Sequence, residues 1–448
     1  MKIEVKNKEY NFITDDSRLV NEETAFLITE HNQKYFEEVK NKTKFFLKPE
    51  DLFKEWNLDK IKIVGITGTN GKTTTTNIIA YILKNNNFKV AVSGTEGVFL
   101  HTKNEIKKIA PRTQTTPDVL VNLFNLKTSL EAGADFFVME VSSHGIFQNR
   151  IEGLKFDGKI FTNLTQDHLD FHKTMEEYAR VKSSFFQDEV LKIINLDDDW
   201  IQFNPKNAVT YSLKKDADFK ILNASFKNKI WAELLYKDKV YEIKSKMIGK
   251  FNLYNLLGGI ALVKKLTDLD LEKIIKSAEN FTGVAGRMEI LFEHQKADKK
   301  IEVFSDYAHT PDAIEKVLNS LDKNSKIISL IGAGGDRDKS KRPLMAEFAA
   351  KNSDFVFLTS DNPRTEKPEN ILKDMEEGVK EKYQNYEIIL DRKEAIKKAL
   401  KKAEEIFKSG DSVFVAILGK GDEDYIDINN QKIPYSDREE VKNYKFDL

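Results

Sequence analysis

A chain of 448 residues with 40% apolar residues is long enough for roughly two to four domains of about 100–200 residues each, with genuine cores. Its 71 Lys+Arg against 72 Asp+Glu leave a formal charge of −1, which gives no drive toward nucleic acid. The absence of cysteine excludes a disulfide framework, a thiolate metal site and a cysteine nucleophile.

The opening residues Lys2, Glu4, Lys6, Lys8 and Glu9 leave no apolar leader core. No stretch approaches ~18 uninterrupted apolar residues, so membrane insertion is not expected and a cytoplasmic location is. Residues 1–58 carry short strand-like pieces, and Pro49 and Asp51 open a helical pattern ending near Leu58. They are expected to form a small, separate α/β domain. Ile61–Thr67 is a mostly β-branched run ending in glycines, the signature of a buried strand. A helix follows, with Ile78, Ile79, Ile82 and Leu83 at helical spacing. Asp135–Val141 and Lys159–Leu164 read as further buried strands. Strands alternating with helices imply a mostly parallel sheet covered on both faces. Asp197–Lys246 is strand-rich and less regular, and is expected as an antiparallel edge.

A boundary is expected near Phe281–Gly286, which divides the chain into domains 1–58, 59–283 and 284–448. The last alternates again: Ile301–Ser305, Pro311–Asn319, Lys326–Gly332, Phe355–Thr359, Tyr386–Leu390, a long helix, then Ser412–Leu418. The fold class is therefore α/β in three domains. A small N-terminal domain precedes a central P-loop ATPase-like domain with a mostly parallel sheet, and a Rossmann-like domain ends the chain.

Gly68-Thr69-Asn70-Gly71-Lys72-Thr73-Thr74 lies between an expected strand and an expected helix. Backbone N–H groups at such a turn converge on phosphate oxygens, and the helix N-terminus adds positive potential. Lys72 suits the β- and γ-phosphates of ATP, and the Thr73 hydroxyl suits Mg2+. The strict P-loop spacing asks for glycine at Ile66, so this loop is a variant. Gly332-Ala333-Gly334-Gly335 has Arg337 at the last dinucleotide-fingerprint position, and a turn directing Asp336, Arg337 and Asp338 toward a cleft is expected instead. His144, His168, His172 and His309 sit in polar clusters at strand exits and are expected to share one cleft. Glu140, at the end of a buried strand, suits a Mg2+ held with Thr73. His168 and His172 have zinc-ligand spacing, but Leu169 stands where a zinc protease carries its glutamate.

With Asp16-Ser17-Arg18, Thr115-Thr116-Pro117, Glu140–Gly145, Asp167–His172, Tyr178–Lys182, Gly249–Asn255, Gly286–Glu289, Asp306–Pro311, Gly335–Lys339, Asp361–Arg364 and Gly419-Lys420-Gly421 in this order, the chain resembles the Mur ligase family. The match is nearest to the branch that adds the third peptide residue to the peptidoglycan precursor. The resemblance implies ATP-driven amide formation through an acyl phosphate on the nucleotide-linked muramoyl dipeptide, UDP-N-acetylmuramoyl-L-alanyl-D-glutamate. It implies that Lys72, Glu140, His168 and Lys182 are catalytic. Thr73 and Glu140 would hold one Mg2+, and His168 a second together with Lys182 as its N-carboxylated form. The alternative for Lys182 is a surface lysine in a salt bridge. By the same resemblance ATP is contacted by Gly68–Thr74, Asn252, Asn255, Arg287 and Asp306. The muramoyl substrate falls to Ser17, Thr115, Thr116, Ser142, Gln148 and Arg150. A monomer acting on small molecules is expected.

For the amino acid, the matching positions are Arg337, Asp361, Asn362, Pro363, Arg364, Gly419 and Glu423. A guanidinium at Arg364 can grip a carboxylate bidentately, as the far end of meso-diaminopimelate requires. The alternative for Arg364 is an ion pair with Glu366. Lysine-adding relatives lack this arginine. Two departures stand out: Asp422 occupies a position where the family carries histidine, and the N-terminal unit is shorter than usual. Other readings are a lysine-adding enzyme, a folylpolyglutamate synthetase or a P-loop ATPase switch.

Overall fold

The computed structural model describes residues 1–5, 7–226 and 229–448. Lys6 of the charged opening, Lys227 and Asn228 of the strand-rich segment, and the Asp170 side chain lie outside that description. The chain forms two compact units. The first comprises Met1–Asn223, Ala232–Ile243 and Tyr254–Asn280; the second comprises Ala224–Trp231, Lys244–Leu253 and Phe281–Leu448.

The first unit opens with a sheet of β1 (Lys2–Glu4), β2 (Phe12–Thr14), β3 (Thr24–Leu27) and β4 (Phe46–Leu47), in that order. These strands are too short to build a core alone. Ile3, Ile13, Ala25 and Leu27, with Leu52 and Phe53, join Leu120, Leu123, Phe137 and Met139 in one apolar cluster. The helix expected to end near Leu58 stops at Glu55. Asn57 then turns left-handed (φ 55°) into a single 3-10 turn, Leu58–Lys60.

The larger sheet of this unit has β5 (Lys62–Thr67) near its middle, between β10 (Gly158–Phe161) and β9 (Phe136–Glu140), parallel to both. Ile63–Thr67 are buried, as both-sided helix cover demands. On the β9 side follow β6 (Val90–Gly94), β7 (Gly97–His101) and β8 (Ile106–Ala110). On the β10 side follow β11 (Leu191–Asn195), β12 (Ala208–Ser212), β13 (Phe219–Ser225), β14 (Ile230–Tyr236) and β15 (Lys239–Ser245).

The expected antiparallel edge is corrected for its inner strands, while β14 and β15 at the rim are joined by the two left-handed residues Lys237 and Asp238, a turn of the antiparallel kind. β12 pairs parallel with β11, and β13 parallel with β12. The connection 196–207 has the length of about a dozen residues that a parallel return needs. Antiparallel pairing is also found at the other end, where a tight turn closes β6 on β7 and β8 follows.

The second unit is a sheet in the order β16 (Glu289–Lys296), β17 (Lys299–Asp306), β21 (Val413–Leu418), β18 (Lys326–Ile331), β19 (Phe355–Thr359), β20 (Tyr386–Ile389). All of its pairs are parallel except that β16 runs antiparallel to β17 at the edge. Helices Pro311–Asn319, Lys341–Lys351 and Pro368–Glu376 cover one face, and Arg392–Lys408 covers the other. The chain leaves β17, β18, β19 and β21 at their carboxyl ends, where open α/β sheets bind ligands. Those exits carry Tyr307, Gly332–Arg337, Asp361–Arg364 and Gly419–Glu423. A hairpin of β22 (Tyr425–Ile428) and β23 (Gln431–Pro434) follows.

Candidate active site

Residues 68–71 turn the chain from β5 into the helix Lys72–Asn85. Gly71 has φ +87°, and a Cβ there would stand 2.2 Å from Asn255 Oδ1. Only glycine satisfies both the backbone and the neighbour, so Asn255 of the helix Lys250–Leu266 lies against the phosphate turn. Thr69 N–H donates to Asn163 O (2.7 Å) and Asn70 N–H to Asn163 Oδ1 (3.1 Å). The Thr69 hydroxyl meets Tyr178 Oη at 3.1 Å. Lys72 Nζ folds back onto Gly68 O (2.8 Å) and Thr69 O (2.9 Å). Thr74 is buried in the first turn of the helix. Asn163 and Tyr178 had been given no role, although Asn163 directly follows a strand parallel to β5.

The Thr73 hydroxyl donates to Glu140 Oε1 at 2.9 Å, so two oxygens of the kind a hard cation prefers are adjacent. Glu140 ends β9 and is buried, and a Cβ on Gly94 would stand 2.6 Å from its Oε1. Lys182 is 1% exposed. Its Nζ donates to Thr67 Oγ1 (3.2 Å) and Gly68 O (3.1 Å) and lies 5.0 Å from the centre of the Tyr178 ring. This corrects the surface salt-bridge alternative, because helix Met175–Ser184 turns this face inward. Burial, helped by the nearby Lys72 charge, holds the Lys182 amine well below its ordinary pKa.

His144, His168 and His172 gather in one aromatic cluster, with His144 4.9 Å from His168 and 5.8 Å from His172. His168 adopts a left-handed backbone (φ 54°), and its Nε2 is 3.5 Å from Asp167 Oδ2. His172 Nε2 hydrogen-bonds Ser143 Oγ at 2.9 Å, and its ring stacks on Tyr178. Burial, with His144, His168 and Lys182 nearby, pushes its pKa down to about 4. Among the described residues no three His, Asp or Glu side chains gather as a metal cage. The fourth histidine, His309, is in the second unit, its Nδ1 2.8 Å from Tyr307 O.

Ser17, Gln148 and Arg150, distant in sequence, line one cavity of about 790 Å3 with Arg18, His31 and Asn32. Arg150 is held by Thr116 O (3.0 Å), by Gln114 and by Asp118 (3.2 Å). Thr116 Oγ1 contacts Glu140 O (3.0 Å) and Ser142 Oγ (3.1 Å), and accepts from Ser142 N–H (2.8 Å). Thr115 Oγ1 lies 2.9 Å from Thr95 Oγ1. A continuous path of polar contacts thus leads from Arg150 through Thr116 to Glu140.

In the second unit, Lys420 is completely buried. Its Nζ reaches Asp361 Oδ1 (3.3 Å), Asn362 Oδ1 (3.1 Å) and Glu423 Oε2 (3.3 Å). Asn362 also donates to Glu423 Oε2 at 2.7 Å. The motif containing Lys420 was visible, but this lysine had no assigned role. Gly335 belongs where it is because a Cβ would stand 1.9 Å from Pro363 O. Asp336 accepts from Thr365 Oγ1 (2.8 Å), and Asp338 accepts from Ser340 Oγ (2.6 Å). Asp336 thus ties this turn to the loop that carries Thr365, and Asp338 closes its own turn; Arg337 between them is exposed. Arg364 NH1 donates to Gly335 O at 2.6 Å. The Glu366 alternative is corrected, since Glu366 is gripped by Arg342 (2.7 Å) and Lys339 (3.3 Å).

Gly419 (φ +110°) donates its N–H to Asp306 O at 3.0 Å, and Asp422 is exposed. The Asp306 carboxylate accepts from Met288 N–H and Ala308 N–H (both 2.8 Å), and burial raises its pKa. The Arg287 guanidinium lies over the Tyr307 ring at 4.6 Å. Asn252 donates to Ile248 O at 2.8 Å.

A strand, a glycine turn and a helix flanked by Lys72, Thr73 and Glu140 define an α/β protein built to hold a polyphosphate. Residues 66–263 match the Mur ligase middle domain, and residues 286–420 match the Mur ligase, glutamate ligase domain. The UDP-N-acetylmuramoyl-L-alanyl-D-glutamate–2,6-diaminopimelate ligase of Wolinella succinogenes is 41% identical over 442 residues, covering 98% of each chain. The enzyme of the same name from Helicobacter pylori is 42% identical over 452 residues, covering 98% of this chain and 96% of its own. A solved structure of a ligase with this name superposes with a TM-score of 0.65 at 29% identity, covering 98% of this chain and 96% of that one. A Mycobacterium tuberculosis folylpolyglutamate synthase shares the fold at 16% identity and a TM-score of 0.62, covering 82% of this chain and 91% of its own. The chain belongs to the Mur ligase family, ATP-dependent ligases that form amide bonds. No described helix is long and apolar enough to cross a membrane.

Proposed function

We propose that this ligase adds meso-diaminopimelate to UDP-N-acetylmuramoyl-L-alanyl-D-glutamate in the cytoplasm, consuming ATP. The observation that carries the reading is identity of 41% across 98% of the chain with a ligase named for that reaction. The Arg364 guanidinium, unpaired with Glu366 and held by Gly335, supports a substrate whose far end bears a carboxylate. We keep 1–58, 59–283 and 284–448 as the functional divisions.

The chemistry follows from charge. The dipeptide carboxylate attacks the γ-phosphorus, the bond to the β–γ bridging oxygen breaks, and ADP leaves. The amine then attacks the acyl carbon, phosphate departs with the carbon–oxygen bond electrons, and the amine loses a proton. Phosphoryl transfer of this kind is mostly positioning and neutralisation. Lys72 leaves the Gly68 and Thr69 carbonyls for the β/γ-phosphates, and the loop N–H groups face the same oxygens. Ser17, Gln148 and Arg150 bind the uridine-linked substrate, and Thr115, Thr116 and Ser142 lead its carboxyl toward Glu140. Arg287, Asp306, Asn252 and Asn255 are assigned to the nucleotide.

Thr73 and Glu140, with hard oxygens 2.9 Å apart, fit Mg2+. His168 and the carbamate of Lys182 would hold a second. These ions would supply neutralisation of the phosphate and acyl-phosphate charge. Carbamate formation needs a neutral amine, and burial lowers the Lys182 pKa in that direction.

The test is a substrate-omission assay of phosphate release. Release is expected only when the muramoyl dipeptide and meso-diaminopimelate are both present. Equal turnover with L-lysine would remove the argument from Arg364.

A further inference from the structure

The β22–β23 hairpin docks on the Asp361–Arg364 loop through three backbone-mediated bonds around Asp427. Asp427 N–H donates to Asn362 Oδ1 (2.9 Å), Arg364 N–H donates to Asp427 O (2.9 Å), and Asn429 N–H donates to Arg364 O (2.8 Å). Arg364 and Ile428 consequently form a parallel bridge. Arg364 itself has φ +51°, a left-handed conformation disfavoured for a side chain of its size. The hairpin is what holds it there.

The Asp427 side chain faces the same arginine. Its Oδ2 lies 4.0 Å from Arg364 Nε, while its Oδ1 is buried with no hydrogen-bond partner among the described residues. A buried carboxylate oxygen without a donor is costly unless a nearby charge offsets it. The Arg364 guanidinium is the cation beside it. That guanidinium is thus fixed at Nε by the Asp427 charge and at NH1 by Gly335 O. Five N–H groups lie in one plane, and with one NH1 hydrogen given to Gly335 O, the second NH1 hydrogen and NH2 remain for a bidentate carboxylate. Glu423, on the same loop system, is already engaged by Asn362 and Lys420.

We propose that Asp427 is a positioning residue that aims Arg364 at the side-chain carboxylate of the incoming amino acid, and so determines which amino acid is accepted. The inference rests on the reading that Arg364 grips that carboxylate. Asp427 lies outside every motif named above and acts only through Arg364.

Steady-state kinetics on the full chain test it with Asp427→Asn, Asp427→Glu, Arg364→Ala and the double variant Asp427→Asn/Arg364→Ala. Asp427→Asn is expected to raise KM for meso-diaminopimelate about tenfold, the size of a lost charge-assisted contact. Its kcat and its KM for ATP and for the muramoyl dipeptide should be unchanged, and Asp427→Glu should recover most of the loss. The double variant should be no worse than Arg364→Ala. If Arg364→Ala raises KM but Asp427→Asn does not, the positioning role is wrong while the reading of Arg364 stands. If Asp427→Asn raises KM by the same factor with and without Arg364, it acts independently and the inference is overturned. If Arg364→Ala leaves KM for meso-diaminopimelate untouched, the underlying reading itself fails.

Discussion

At the phosphate turn, Lys72 directs its ammonium group at the carbonyls of Gly68 and Thr69, beside the buried amine of Lys182. On the amino-acid side, Lys420 is enclosed by Asp361, Asn362 and Glu423. Both arrangements satisfy buried nitrogen, but they leave different residues of charge. Carbonyl dipoles hold a cation without cancelling it, so the first region keeps positive potential for a polyanion. Two carboxylates outweigh it, so the second region keeps a net negative charge beside which Arg364 is presented. A charged side chain near a ligand is therefore not always there to meet it; what its own neighbours carry decides.

The sharpest way to break this contrast is Lys182→Ala. Activity should fall roughly a hundredfold or more, the scale of losing an electrostatic group at the reacting centre. Added formate or acetate should restore part of it by standing in for the carbamate. Full activity in the variant would exclude the carbamate.

Stability should respond in the opposite order. Lys420→Met leaves the buried Asp361 and the half-buried Glu423 without their cation, and breaking such a buried pair costs about 3–5 kcal/mol. Lys182→Met removes a buried amine whose desolvation was unfavourable, and should leave stability unchanged or slightly raised. Urea unfolding of the two variants beside the parent measures both.

The smallest effect is a pH dependence. His172 and His101 are held down to about 4, each chiefly by burial, against an ordinary 6.5. The unfolded chain takes up these protons first, so their contribution is complete above about 6.5 and is lost as pH falls toward 4. Urea midpoints should drop over that window, and His172→Asn should flatten part of the fall.

The phosphate turn was legible because its determinants lie in one stretch, Gly68–Thr74, flanked by a β-branched run and an apolar helix. The helix Pro311–Asn319 and the strand Phe355–Thr359 were equally plain, with their limits agreeing to the residue. The amino-acid side was legible only in part. Its loops are 332–338, 361–366 and 419–429, brought together by a sheet order that no local pattern encodes. Lys420 and Asp427 acquire meaning only from that assembly. The same holds for Asn163, whose hold on Thr69 and Asn70 exists because β10 lies beside β5. The parallel pairing of β12 and β13 escaped because strand direction depends on the path of the connection, not on the strand's own residues.

The recess shared by Ser17, Gln148 and Arg150 has one further consequence. Its walls come partly from Asp15–Glu38 and partly from Asp118–Arg150, and Asn149 Nδ2 is tied to Glu30 Oε2 at 2.6 Å. The leading segment contributes one side of this cavity, and residues at the ends of the helices Val119–Glu131 and Ser143–Phe147 contribute the other. The two sides must keep their mutual spacing for the proposed substrate role, so the wall supplied by 118–150 is where mutations should be tolerated least.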